Sequence, residues 1–272
     1  MIYQTMNDGH QIPILGTGTN TYGKMENDYY GDINDDTTEL ESAIAAGYRS
    51  IDTAVSYRNE RVIGKAVKES GIDRSEFFIT TKFPMDEKHI ETDATIDALI
   101  DESLKNLQVD TIDLYLVHHP SENDADNIRV YQGLIRAQNA GKITSVGVSN
   151  FSEEQINAVI EATGVKPVVN QIMSNPMNMN EALTAYLLSV DIIPQAWGPL
   201  SKVDEDTRLQ LEDVGAPYGK TWAQVWLRFQ VQRGVNVIPK SHNSNRQKVN
   251  IDIFDFELSK TDIVNIKTAL NI

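Results

Sequence analysis

The chain reads as an α/β protein, a (β/α)8 TIM barrel with an N-terminal β-hairpin, spanning residues 1–272 as one domain. Three observations predict it. Short, β-rich apolar runs recur eight times along the chain. Longer amphipathic segments separate them, as crossover helices covering a parallel sheet require. No Gly/Ser linker, low-complexity run or charge block interrupts the alternation, so nothing marks a second domain. An open doubly wound sheet also accepts such units, but eight regular ones in 272 residues favour closure.

The hairpin comes first. "NDGHQIP" sets Asp8-Gly9 between apolar flanks, a turn signature, and the hairpin would cover the lower end of the barrel. The first barrel strand is assigned to "IPILGTGT" (12–19). The other seven are "YRSIDTA" (48–54), "FFITTKF" (77–83), "TIDLYLV" (111–117), "ITSVGVS" (143–149), "PVVNQI" (167–172), "VDIIPQA" (190–196) and "GVNVIPK" (234–240). Helical patterns occupy 36–46, 59–69, 92–107, 127–140, 152–163, 180–189, 221–233 and 260–270. Ser152 with Gln155 three residues on forms a capping box, so a helix starts there. Gly47 in "AAGY" and Gly141 in "NAGKI" stand where helices should stop.

Composition narrows the function. There are no cysteines, which excludes disulfides, thiol nucleophiles and zinc-thiolate sites. A net charge of -15 argues against nucleic acid or an anionic membrane as partner. No apolar stretch is long enough for a membrane span, and the N-terminus lacks a signal-peptide pattern. A cytoplasmic monomer acting on a small molecule is the expectation.

Barrels of this kind place their active sites at the C-terminal ends of the strands. The strand ends carry Asp52, Lys82, His118-His119, Ser149-Asn150, Gln171, Trp197 and Lys240. A lysine buried there needs a counter-charge, and Asp52 on the neighbouring strand supplies one. The pair alone can also be read as a structural salt bridge. Tyr57, five residues past Asp52, adds a phenol whose ordinary pKa of about 10 is too high for efficient proton donation at neutral pH. A nearby ammonium would lower it. A histidine from the fourth strand could then hydrogen-bond a substrate oxygen beside the phenol. This set suits proton delivery to a carbonyl that is receiving a hydride. Strand alternation puts His118 and His119 on different sides and does not choose between them.

With these residues in place, the chain closely resembles the aldo-keto reductase family along nearly its whole length. "NDGHQIPILGTGT", "YRSIDTAVSYRNERVIGKAV", "FFITTKF", "LYLVHHP", "KITSVGVSNF", "VVNQI", "QAWGPL" and "VIPKS" follow in the family's order. The resemblance implies a catalytic tetrad of Asp52, Tyr57, Lys82 and His118, with Tyr57 as general acid in reduction. It selects His118 over His119, because the family pattern is His followed by Trp-Pro. It implies NADPH as cofactor, although "GTGTNTYG" does not satisfy G-x-G-x-x-G. By the same resemblance Gly18 and Thr19 line the nicotinamide end, and Ser149, Asn150 and Gln171 hold the carboxamide. Trp197 stacks on the ring, and Gly198, Pro199, Leu200 and Ser201 run along the pyrophosphate. Lys240, Ser241 and Arg246 grip the 2′-phosphate, His242 joins the cofactor-binding set beside them, and Asn250 contacts adenine.

The departures from the family pattern gather on the substrate side. His119 replaces the tryptophan of His-Trp-Pro, Pro84 stands where a tryptophan commonly follows the lysine strand, and Asn20 takes an often aromatic position. Met173 and Asn175 replace the Glu-x-His that usually follows the glutamine. These changes imply small or polar substrates, dicarbonyls among them. The short sequence after the last helix implies an open pocket. Two other classes fit the barrel: a Schiff-base aldolase or isomerase with Lys82 as nucleophile, and a cofactor-binding regulatory subunit without turnover.

Overall fold

The computed structural model describes residues 1–270. Strands β1 (Tyr3–Thr5) and β2 (Gln11–Pro13) pair antiparallel through a turn in which Gly9 has φ 90°. Eight parallel strands follow in chain order: β3 (Thr17–Gly18), β4 (Ser50–Asp52), β5 (Phe78–Phe83), β6 (Ile112–Val117), β7 (Ile143–Ser149), β8 (Val169–Met173), β9 (Ile193–Trp197) and β10 (Asn236–Val237). The sheet closes on itself. Leu15 bridges Val237 in parallel, Gly16 N donates to Val237 O at 2.9 Å, and Val237 N donates to Ile14 O at 3.0 Å. A Cβ on Gly16 would lie 2.7 Å from Ser50 Oγ, so this close strand approach requires glycine.

The helices are α1 (Thr38–Ala46), α2 (Glu60–Glu69), α3 (Glu87–Ile90), α4 (Asp93–Leu107), α5 (Asp124–Asn139), α6 (Glu153–Thr163), α7 (Glu181–Ser189), α8 (Glu205–Gly215), α9 (Trp222–Gln232), α10 (Ser244–Ile251) and α11 (Lys260–Ala269). The Ser152–Gln155 capping box starts α6, and Gly47 ends α1 in the left-handed conformation. None of the described helices is long and apolar enough to cross a membrane.

Alternation along β6 divides two cores. Tyr115 and Val117 join the large cluster between sheet and helices, whereas Leu114 and Leu116 face a small inner cluster with Met6 and Ile12 of the hairpin. The hairpin therefore plugs one end of the barrel, and the polar rim occupies the other.

Two expectations need correction. The 12–19 run is not one barrel strand. Its start belongs to the hairpin, Thr17–Gly18 pairs with β4 and the residues between bond to Val237, because one apolar run serves two sheets. Helices α3, α8 and α10 were not expected. The buried set of α10 is Gln247 and Asn250, so it carries no apolar stripe. In α8 only Thr207, Leu211 and Gly215 are buried, among many acids.

Candidate active site

The strand ends bring Asp52, Tyr57 and Lys82 into one hydrogen-bonded group. Lys82 is fully buried, and its Nζ donates to Asp52 Oδ1 at 2.7 Å, to Thr53 O at 2.7 Å and to Tyr57 OH at 3.3 Å. An ammonium has three protons, so these acceptors satisfy it. Gln171 Nε2 donates to Asp52 Oδ2 at 2.7 Å, fixing the second carboxylate oxygen. Tyr57 ends a short 3-10 turn over Val55–Tyr57, and Arg58 follows with φ 62°, which swings the chain into α2.

His118 completes the group. Its ring stands edge-on to Tyr57, with centroids 5.5 Å apart and planes at 79°. It continues the inward parity of Leu114 and Leu116. His119 does not point to the opposite side as alternation predicted. Its ring stacks on His118 at 4.4 Å and 13°. Strand β6 ends at Val117, so the pleat no longer governs the two histidines.

Burial pulls His118 down to about 2, and the Lys82 and His119 charges add to the shift. The imidazole is neutral at physiological pH. Its Nδ1 is buried without a partner, which leaves Nε2 as the nitrogen able to bond to a ligand. The Tyr57 phenol departs from expectation. Burial pushes it well above its ordinary value, and the charges at Asp52 and Tyr29 push the same way. The Lys82 ammonium, shared with the closer Asp52, does not offset these effects. Tyr57 is therefore a protonated donor across the physiological range. Burial also lowers Lys82, against the opposing pull of Asp52.

A cavity of about 520 Å³ opens on this group. It is lined by Asp52, Tyr57 and His118 and by eleven of the residues expected to hold a cofactor: Gly18, Thr19, Ser149, Asn150, Gln171, Trp197, Gly198, Pro199, Leu200, Ser201 and Lys240. Asn150, at φ 61°, turns its side chain back over the rim. Its Nδ2 contacts His119 Nδ1 at 3.0 Å and donates to His118 O at 3.2 Å, and its Oδ1 accepts from Trp197 Nε1 at 2.8 Å. The indole is held by its edge and lines the cavity.

Ser241, His242, Arg246 and Asn250 do not line this cavity; they lie beyond Lys240, on the loop leading into α10 and on α10 itself. Lys240 Nζ donates to Thr21 Oγ1 at 2.6 Å, Thr21 contacts His242 Nε2 at 2.8 Å, and His242 Nδ1 pairs with Glu39. Since an ammonium only donates and a carboxylate only accepts, the chain is polarised from Lys240 to Glu39. Arg246 is exposed and makes no ion pair among the described residues.

On the substrate side, Asn20 and His119 line the cavity but Pro84 does not. Pro84 borders a second depression that shares Tyr29 with the first. Asn175 is buried away from the cavity, and its Nδ2 reaches Ser201 Oγ at 3.4 Å. Sequence reasoning missed Tyr29, Lys202 and Ile238 in the lining and Thr21 and Glu39 beside Lys240. No acidic or histidine cluster able to hold a metal occurs among the described residues.

A (β/α)8 barrel with an Asp–Lys–Tyr–His group where a deep cavity meets its strand ends defines an oxidoreductase acting on carbonyl or alcohol groups. The chain belongs to the aldo/keto reductase family, whose model matches residues 14–271. Among its relatives, methylglyoxal reductase DkgA of Escherichia coli K12 is 36% identical, over 96% of this chain and 90% of that protein. The glyoxal reductase of Bacillus subtilis 168 is 37% identical, over 98% and 91%. An aldo/keto reductase from Brucella melitensis superposes with a TM-score of 0.89 at 35% identity, covering 98% of this chain and 99% of that one. A Bombyx mori aldo-keto reductase in complex with NADP superposes at 0.87 and 33%, covering 98% and 92%.

Proposed function

We propose that this protein is an NADPH-dependent reductase of small or polar aldehydes and ketones, with Tyr57 as the proton donor. The observation that carries the reading is the linked group at the cavity floor. A protonated phenol held by the Lys82 ammonium faces a neutral histidine across one end of a ligand-sized space. NADPH, when bound, supplies the hydride. The chain's own residues do the rest. His118 Nε2 donates to the carbonyl oxygen and orients it. Tyr57 OH gives its proton to the same oxygen as negative charge develops there. Lys82 stabilises the phenolate left behind, and Asp52 keeps Lys82 in place.

The residues present fit the cofactor. Trp197 offers a braced aromatic face, and Gly198 to Ser201 border the same cavity. Ser149 and Gln171 stand beside Asn150 at the nicotinamide end. At the far end, Lys240 and the free guanidinium of Arg246 suit a phosphate, which arginine can grip with two parallel bonds. The polar side chains of Asn20 and His119 in the lining favour polar substrates, and the methylglyoxal and glyoxal chemistry named for two relatives favours compact ones.

A Schiff-base mechanism is not favoured. Lys82 has no exposure and spends every ammonium proton on an acceptor, so no lone pair is available for attack. A cofactor-binding subunit without turnover has no observation in its favour, since the proton-donating group is complete.

The test is a panel of short aldehydes, dicarbonyls and large ketones with NADPH and NADH, on the wild type and Arg246→Ala. Compact carbonyls should be reduced, with NADPH the better donor. Arg246→Ala should raise the KM for NADPH by about ten- to hundredfold, the loss expected for one charge-assisted bond, and leave NADH unaffected. An equal effect on both cofactors would refute the phosphate assignment. Failure of every carbonyl would refute the reaction.

A further inference from the structure

We propose that Tyr29 is a specificity-determining residue of the substrate pocket, and that its hydroxyl binds a second oxygen on the carbon next to the carbonyl being reduced. The inference rests on the carbonyl-reductase reading and deepens it by naming a substrate class, the α-oxygenated carbonyls. Tyr29 belongs to the long connection between β3 and α1, where neither composition nor periodicity marks a function. It lines the cavity above Tyr57, and its ring stands edge-on to the Tyr57 ring at 5.9 Å and 77°. Asn20 and His119 stand in the lining where the family resemblance leads one to expect larger aromatic side chains. Tyr29 is the phenol that stands in the lining beside the proton donor.

Its position is built. The connection folds back on itself, with Lys24 bridging Ile33 antiparallel, Met25 N donating to Asp32 O at 2.9 Å and Asn34 N donating to Gly23 O at 2.9 Å. The buried Lys24 ammonium donates to Tyr29 O at 2.5 Å and lies 4.6 Å from the centre of the Tyr29 ring. Two arginines that follow Tyr57 latch the loop from below. Arg58 donates to Gly31 O at 2.9 Å, and Arg61 grips Asp35 at 2.7 and 3.0 Å. The turn that positions the proton donor and the loop that positions Tyr29 are thereby one connected unit.

The Tyr29 hydroxyl, in contrast, has no hydrogen-bond partner among the described residues. A phenol OH half-buried at a cavity wall with its ring fixed and its proton uncommitted is suited to a ligand oxygen. Tyr57 and His118 take the oxygen of the reacting carbonyl, so Tyr29 is left for a neighbouring one. A vicinal dicarbonyl or hydroxycarbonyl supplies both oxygens, and a simple aldehyde supplies one.

Methylglyoxal and propanal, which share a carbon count and differ by that oxygen, test the idea. Steady-state kcat/KM is measured for each with NADPH on the wild type and Tyr29→Phe. The electrophilic advantage of the dicarbonyl is common to both proteins and cancels in the comparison. The methylglyoxal-to-propanal ratio should fall roughly three- to tenfold in the variant, the loss of one hydrogen bond. The variant keeps the ring and its packing, so a near-ultraviolet circular dichroism spectrum matching wild type is expected. An unchanged ratio overturns the role of Tyr29 and leaves the carbonyl-reductase reading standing. Absence of NADPH oxidation by the wild type with either substrate overturns both.

Discussion

Tyr57→Phe should abolish most carbonyl reduction, lowering kcat by about 10²- to 10⁴-fold, the usual contribution of a positioned acid. NADPH binding, followed by calorimetric titration, should stay within a few-fold of wild type. The separation follows from the geometry. The phenol OH makes one protein hydrogen bond, to Lys82 Nζ at 3.3 Å, the longest of that lysine's three. Removing it leaves the ammonium with its two 2.7 Å partners, so neither the fold nor the cofactor end should respond. What disappears is the proton. The remaining candidate donors cannot replace it. His118 is held near a pKa of about 2 by burial and by Lys82, so it carries no second proton to give at neutral pH. Water is a poor acid. If Tyr57→Phe retained more than a tenth of the wild-type kcat, proton delivery would have to be reassigned.

The same residues indicate how much was legible beforehand. The strand ends were readable because each is a polar residue closing an apolar run, and the barrel makes such residues converge whatever their sequence separation. Asp52, Lys82 and the His118–His119 pair were found that way, and the family resemblance then selected His118. Tyr57 needed chemical reasoning, because it stands on a loop. Its tuning was misjudged for a physical reason. Spacing reveals that a lysine is near a phenol but not that an aspartate lies closer to the lysine, nor how deeply all three are buried. His119 was misdirected because the alternation rule was carried two residues past the end of its strand. Helix α10 was invisible since it buries amides where a helix ordinarily buries hydrocarbon. Tyr29 was beyond reach altogether. Its loop has no period, and its place over Tyr57 depends on long-range latches from Arg58 and Arg61.

Lys82→Met should be costly to stability as well as to activity, and the two costs can be separated. The substitution removes the cation from a pair in which neither side chain is more than 4% exposed. Asp52 keeps one partner, Gln171 Nε2 at 2.7 Å, and loses the other. Breaking a buried pair from one side typically costs about 3–5 kcal/mol, because the remaining charge stays desolvated. For a domain of this size that corresponds to a fall in Tm of roughly 10 °C. The double variant Asp52→Asn/Lys82→Met removes the stranded charge together with its partner. An Asn side chain can still accept from Gln171, so most of the lost stability should return in thermal melts. Activity should not return, since neither variant has an ammonium to stabilise the phenolate of Tyr57. If the double variant were instead as unstable as the sum of its singles, the pair would be acting through packing and not through charge. If it regained turnover, Lys82 would have no part in proton transfer. The combination of restored stability with absent activity is the signature of a charge kept in the barrel for chemistry, at a position where hydrocarbon would hold the fold equally well.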